Sequence, residues 1–419
     1  MRKKVLTSMK SPAQQYLALI RKSIAGIRRD LGDLAELGER MAGPLLRGGS
    51  LFAPPVAGWW PSEFGGRAGG FMGLRYPHYA ALSGKDVALL ALPDPRRWNP
   101  REDKTLNALV KSKARLFVIG RREEIDLRGS IRARGRKRRG DGTRFAGFTG
   151  GAAADEGLYG TQHVRPLATV RQFEQLMRGW IAAGELIAAC TRGGKMPTIW
   201  MSVWLEGSLA RNASMTRHDN LREPWGAPFL HDNHYVPPLP PGCVGAEFLA
   251  FVERILGVIE SQGPALAEAG KWMAQAKQAG RRVFAVITGH SYPAILDRPS
   301  EKDYPLEWGR SISDLSRAFP ADLGRGDVAL HLGYGPVDAK DVQNVLKRGL
   351  RLIHTSPYGR RAGMKDYRNF LWLDLPWRPG DACVDVPGYS VRILPSSSSA
   401  QTIAYNAILC EMAERMGWK

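Results

Sequence analysis

A chain of 419 residues with 44% apolar content is long enough for two domains, each with its own core, and its globular composition excludes a disordered polymer. No apolar run reaches about 18 residues, so no membrane-spanning helix is expected, and the basic start MRKKVLTSMKSPAQQ lacks the apolar segment of a secretory signal. The formal charge of +20 raises nucleic acid as a partner, but much of the excess sits in residues 128–139 (RGSIRARGRKRR), without an RNP, KH, zinc-finger or helix-turn-helix signature beside it.

Residues 13–42 carry Leu17, Ile20, Ile24, Ile27, Leu31 and Leu34 at helical spacing, which predicts an amphipathic helix broken near Gly26 or Gly32. Short apolar strands are expected at 50–53, 86–92 and 115–119, with a helix at 105–111 between the last two. Residues 121–160 read as an insertion that holds the basic stretch, which is either a solvated loop or a contact for a phosphate-rich partner. Residues 211–242 are rich in proline, asparagine, aspartate and histidine without periodicity, and read as a structured linker. The pattern then recurs: a long helical stretch at 247–278, strands at 281–288 and 327–332, a helix at 338–348 and a strand at 350–355. Apolar strands alternating with helices predict parallel sheets covered on both faces.

The two halves align. Phe52-Ala53 matches Phe284-Ala285, Trp60-Pro61 matches Tyr292-Pro293, Asp86-Val87-Ala88-Leu89 matches Asp327-Val328-Ala329-Leu330, and Lys111 and Arg115-Leu116 match Lys347 and Arg351-Leu352. The shared order points to internal duplication. The expected division is an N-terminal domain at 1–210, a linker at 211–244 and a C-terminal domain at 245–419. Cys190, Cys243, Cys383 and Cys410 are far apart and lack CxxC spacing, so neither a zinc site nor a disulfide framework is expected, and the cytoplasm is the expected compartment.

Several local strings resemble one family. Gly48-Gly49-Ser50-Leu51-Phe52 resembles the strand entry of sugar isomerase (SIS) domains, and the run from Gly65 through Arg67 to Phe71 resembles the glycine-rich segment after their first strand. Thr288-Gly289-His290-Ser291 looks like the loop after the same strand in the second half. The stretches 338–355, 388–397 and 184–192 resemble later sections of that fold. The family includes phosphoheptose isomerase and the isomerase half of glucosamine-6-phosphate synthase. The resemblance implies two tandem flavodoxin-like, three-layer α/β/α sandwiches with parallel sheets. It also implies a sugar ligand at the strand C-terminal ends, where doubly wound sheets bind ligands, and pairing of the two halves as an intramolecular pseudo-dimer or of whole chains as a homodimer. The family's Ser/Thr-rich phosphate loop is absent. The equivalent stretches, 92–97 and 332–338, offer Arg96 and Arg97 as cations and Gly333 and Gly335 as backbone donors.

Moving a proton next to a carbonyl needs a base near neutral pH, and the catalytic candidates are His290, Glu307 and Glu63. The alternatives are a loop cap for His290 and ion pairs with Arg67 and Arg310 for Glu63 and Glu307. Ligand-binding candidates are Gly289, Ser291, Gly333, Gly335, Arg96, Arg97, Arg67, Thr355 and Ser356. His331 reads as structural, and His354 as either a ligand contact or a strand-end turn. His231, Asp232, Asn233 and His234, near His218 and Asp219, match no metal motif and read as polar junction residues. Trp59 and Trp60 read as core or as a stacking surface for a sugar ring. No cofactor and no metal are expected.

The function expected is binding of a phosphosugar or related carbohydrate derivative near the interface of the two halves, with aldose–ketose isomerisation as an activity open to it. The alternative is a non-catalytic metabolite-sensing or assembly module on the same scaffold. A second alternative is nucleic-acid binding through the basic insertion.

Overall fold

The computed structural model describes residues 10–57, 59–75, 82–92, 100–121, 144–148, 158–160, 166–168, 170–216, 228–231, 233–289, 306–309, 315–359 and 366–418. Two all-parallel sheets carry the fold. The first has the order β1 (Leu51–Phe52), β2 (Val87–Ala91), β3 (Arg115–Arg121), β4 (Arg144–Phe148). In the second, β8 (Glu307–Trp308), β7 (Val283–Ile287), β9 (Val328–Leu332), β10 (Arg351–Ser356) and β11 (Phe370–Asp374) lie side by side in that order. Antiparallel pairs β5 (Leu158–Gly160) with β6 (Pro166–Ala168) and β12 (Ala382–Val384) with β13 (Ile393–Pro395) complete the strands.

The sheets agree in register as well as order. Phe52 pairs with Ala88, and Phe284 with Ala329. The aspartate before each second strand does the same work. Asp86 accepts from Ser50 N (3.0 Å) and Ser83 N (2.7 Å), and Asp327 from Arg282 N (2.9 Å) and Gly324 N (2.9 Å). Each thus ties the turn before its strand to the start of the neighbouring strand. This equivalence, residue for residue, fits an internal duplication.

Helices α1 (Pro12–Arg29), α2 (Leu31–Leu46), α5 (Arg171–Arg192), α7 (Cys243–Ser261), α8 (Gly263–Gln278) and α11 (Ser397–Arg415) lie between the sheets. Shorter helices are α3 (Trp60–Phe64), α4 (Pro100–Lys111), α6 (Ser208–Met215), α9 (Leu315–Ala318) and α10 (Ala339–Lys347). Ser11 and Gln14 form a reciprocal capping box at the start of α1, with Pro12 at the first helical position. The break in the first helical stretch falls at Asp30, neither at Gly26 nor at Gly32. The 247–278 stretch is two helices, because Pro264 has no N–H to continue the ladder and starts α8.

One hydrophobic core runs from Ala13 to Met412 and takes side chains from both halves, including the inner faces of both sheets. Smaller clusters cover the outer faces, around Leu90 and Leu109 for the first sheet and around Phe284 and Val345 for the second. The central helical layer is therefore shared, and the expectation of a separate core for each half does not hold.

The opening helices cross between halves. In the first half, Glu185 on α5 accepts from Gly242 N (2.7 Å) and Gly245 N (2.8 Å), capping α7 of the second half. In return, Glu411 on α11 accepts from Ala13 N (3.0 Å), capping α1 of the first half. A carboxylate at a helix N-terminus satisfies orphan N–H groups and complements the dipole. Within each half, a glycine brings the second helix onto that carboxylate-bearing helix. A Cβ on Gly38 would lie 2.5 Å from Glu185, and one on Gly270 would lie 2.4 Å from Glu411.

Candidate functional site

The C-terminal ends of β7, β9 and β10 carry Thr288, Gly289, Gly333, Tyr334, Gly335, Thr355 and Ser356. The start of α11 closes over them. Gln401 Nε2 lies 3.1, 3.2 and 3.2 Å from the carbonyl oxygens of Thr288, Leu332 and Gly333. Gly333 is glycine because β10 comes close: a Cβ there would be 2.6 Å from His354 Cε1 and 2.7 Å from the Thr355 oxygen. Gly289 has φ +103 and packs on the Tyr334 ring, a backbone conformation that favours glycine. Thr355 and Ser356 are fully buried, and Ser356 Oγ accepts from Tyr358 N (3.2 Å).

The rim of this end is aromatic. Trp204 is 51% exposed, 6.0 Å from the Tyr334 ring and next to Gly335. Tyr334 in turn lies 5.8 Å from Trp377, and Tyr358 is half-exposed. Burial raises the Tyr334 phenol well above its ordinary value, with the Asp381 charge adding to it, so it stays a neutral donor. Val203, Leu205 and Leu209 extend the exposed apolar surface beside Trp204.

Behind the rim lies a sealed polar cluster between the halves. Its first part is the Gly65–Phe71 segment. Trp200 N donates to Gly70 O and Gly69 N to Trp200 O, while Leu394 N donates to Gly69 O. Gly69 has φ +77, and a Cβ there would strike Ala382 at 2.7 Å. The glycines thus let this segment touch the β12–β13 hairpin. That contact buries Arg67 completely. Arg67 Nη1 donates to Glu63 Oε1 and Ser398 Oγ. Nη2 donates to Asp381 Oδ2 (2.9 Å) and Ser397 Oγ (2.7 Å). Glu63 also accepts from Trp180 Nε1 (2.9 Å) and Ser398 Oγ (3.0 Å). Asp381 Oδ1 accepts from Ser396 N (3.0 Å) and Ser397 N (2.7 Å) at the start of α11, so the chain's own carboxylate occupies the end that favours an anion. Burial pushes the Glu63 carboxyl up to about 7 against the pull of Arg67 and the hydrogen bonds.

The placement of each candidate follows from this. Glu63 and Arg67 are brought together as expected of an ion pair, but in the interior, fully out of solvent. Glu307 pairs with Arg282 (2.6 Å) at the opposite end of the second sheet. It lies level with Phe284, roughly 16 Å along the strand from Gly289 at about 3.3 Å per residue. Gly289, Gly333, Gly335, Thr355 and Ser356 share one sheet end. His290, Ser291, Arg96, Arg97, Arg310 and the basic stretch 128–139 lie outside the described residues. Trp59 and Trp60 are core, Trp60 Nε1 donating to Leu89 O (2.8 Å), which removes them as a stacking surface.

The histidine cluster of the linker folds around Tyr389. Tyr389 OH accepts from Arg211 Nη2 (2.9 Å) and Ile199 N (3.3 Å), which leaves its proton for His231 Nε2 at 2.9 Å. His234 lies 5.2 Å from the His231 ring. Among the described residues no group of three or more His, Cys, Asp or Glu side chains is placed to hold a metal. Asp232, His218 and Asp219 are outside them. The residues that sequence reasoning missed are Trp204, Tyr334 and Asp381. An aromatic in an aperiodic segment and an aspartate in a turn carry no periodic signal.

No family model matches the chain, and no curated protein matches it. Among solved structures, it is similar to the C-terminal domain of glucosamine-fructose-6-phosphate aminotransferase from Francisella tularensis, at 10% identity and TM-score 0.48, covering 96% of this chain and 97% of that one. It is similar to a protein of Salmonella typhimurium LT2 described as sugar binding, at 11% and 0.47, covering 94% and 99%. It is also similar to a Clostridium novyi NT protein described as a tagatose-6-phosphate ketose/aldose isomerase, at 10% and 0.43, covering 97% and 88%.

Proposed function

We propose that the chain binds a phosphosugar or related carbohydrate derivative at the C-terminal ends of β7, β9 and β10. The observation that carries this reading is Trp204, half in solvent, set against Tyr334 at the end where parallel sheets take ligands. An apolar ring face beside partly open glycine backbone suits a sugar, which has an apolar face and a polar edge. Gly289 and Gly335 are both partly open there. The crossed opening helices support the pseudo-dimer, since each half completes the other's helical layer.

The enclosure of Glu63 counts against it as the base of an isomerisation, because a base must reach the proton it moves. Thermal shift with glucose 6-phosphate, glucosamine 6-phosphate and sedoheptulose 7-phosphate tests the binding. A ligand that binds the native state raises its melting temperature. Trp204→Ala is expected to weaken affinity about tenfold, in line with a lost aromatic contact. No shift with any of the three sinks the reading.

A further inference from the structure

The proline-rich end of the linker, residues 235–241 (YVPPLPP), has no part in the proposed sugar site. Its covalent chemistry sets its shape. The rings of Pro237, Pro238, Pro240 and Pro241 fix φ at roughly −65°, and each residue that precedes a proline is held extended. The segment is therefore a polyproline II helix, with about three residues per turn. Burial follows that period. Val236 and Leu239, one turn apart, are buried in the shared core. Pro237 and Pro240 form a second edge, and Tyr235, Pro238 and Pro241 a third; all of these are exposed.

The strip is pinned from behind. Leu239 N donates to Thr191 Oγ1 (3.0 Å), and Leu239 O accepts from Arg192 Nη1, both at the end of α5. Pro241 and Gly242, the latter with φ +81, turn the chain into α7, and Cys243 N donates to Pro240 O (3.3 Å). The four prolines carry no N–H, and among the described residues no hydrogen bond reaches the Pro237 or Pro238 oxygen. The outward edges thus present apolar rings and acceptors without donors. Their complement is a surface of aromatic faces whose own N–H or O–H groups donate. A plain spacer needs only stiffness. Here the single non-proline of residues 237–241, Leu239, is the one that faces the core, so the exposed edges are proline throughout.

Independently of the sugar site, we propose that residues 235–241 are a docking strip for a protein domain with an aromatic-lined groove of the kind that reads polyproline II ligands. The exposed edges offer two proline pairs, 237–238 and 240–241. At roughly 3.1 Å per residue they are about 9 Å apart, one pair for each of two neighbouring slots between aromatic rings. Leu239 lies between them and points away from the partner. The strip is already held in its bound shape, so docking costs little ordering entropy.

The test is titration of ¹⁵N-labelled SH3, WW and EVH1 domains, each alone, with the unlabelled full chain. At least one domain is expected to saturate, with movement of its groove tryptophan indole signal. Pro238→Ala and Pro241→Ala are each expected to raise Kd on the order of tenfold, as loss of an interface anchor does. Leu239→Met, which keeps the volume on the core side, is expected to leave Kd unchanged. Circular dichroism melts of each variant show that the fold is kept. No saturation with any of the three domains overturns the proposal, as does binding by both proline variants equal to that of wild type. Self-association of wild type that Pro238→Ala abolishes assigns the strip to a second copy of the chain and overturns it too. None of these outcomes bears on sugar binding, which the thermal shifts read separately.

Discussion

Replacing Arg67 by methionine removes the guanidinium that Glu63 and Asp381 share and keeps most of the side chain's volume. Both carboxylates are buried, so each is left in a low-dielectric interior without its cation. Arg67 also donates to Glu63, Ser398, Asp381 and Ser397. Breaking a buried pair by removing one partner costs about 3–5 kcal/mol, a large fraction of an ordinary domain's roughly 5–15 kcal/mol. The loss is expected within that range: Asp381 is stranded without its cation, while Glu63, already pushed up to about 7 beside Arg67, takes up a proton. Urea unfolding at pH 7.5, followed by tryptophan fluorescence and circular dichroism, measures it. Both probes are expected to move together, since Arg67 joins residues of both halves inside one core. The control is Arg67→Met with Glu63→Gln and Asp381→Asn. Neutralising the stranded charges is expected to recover most of the loss, because a buried cluster without net charge has far less desolvation to offset. A loss below about 1 kcal/mol for Arg67→Met, or no recovery in the triple variant, would show that the cluster is not held by charge.

Acid titration is expected to show two opposed effects. His331 is depressed to about 4 in the fold from an ordinary value near 6.5, so its stabilisation is complete above about 6.5 and lost as pH falls toward 4. Glu63 is raised to about 7 from 4.5, so its contribution is present below 4.5 and lost as pH rises through 7. Melting temperatures between pH 4.5 and 6.5 are expected to fall more steeply with acid in Glu63→Gln than in wild type. In the double variant His331→Phe, His354→Leu the slope should reverse; identical slopes in all three would refute the assignment. Gly38→Ala and Gly270→Ala each place a methyl within 2.5 Å of a neighbouring helix, and each is expected to cost about 1–3 kcal/mol in urea titrations through overpacking. Glu411→Ala and Glu185→Ala each remove the carboxylate that accepts at the start of α1 and of α7, with an expected loss of about 1–2 kcal/mol each; a change in one and not the other would break the equivalence of the halves.

The strand assignments were legible because five-residue apolar runs such as Val87–Ala91 and Val283–Ile287 pack on both faces and show as unbroken hydrophobic strings. The likeness of the two halves was legible for the same reason: Asp86 and Asp327 stand at one place in two similar strings and perform one task in the turn. Amphipathic spacing along α1 states that a face is buried, and the sequence alone determines that much. It does not state against what, so the crossing of α1 and α7 between halves was decided by tertiary packing. The segment around Arg67 stood out as a glycine-rich string, yet the partners of Arg67, Asp381 and Ser397, are more than 300 residues away, and only folding shows that their carboxylate and hydroxyl close on the guanidinium. Trp204 completes the point. It lies in an aperiodic segment and carries no local signal, and its significance comes from Tyr334, its neighbour in space. Periodicity in the chain encodes which side chains leave water; the directional chemistry of hydrogen bonds and charges is settled only when those side chains meet.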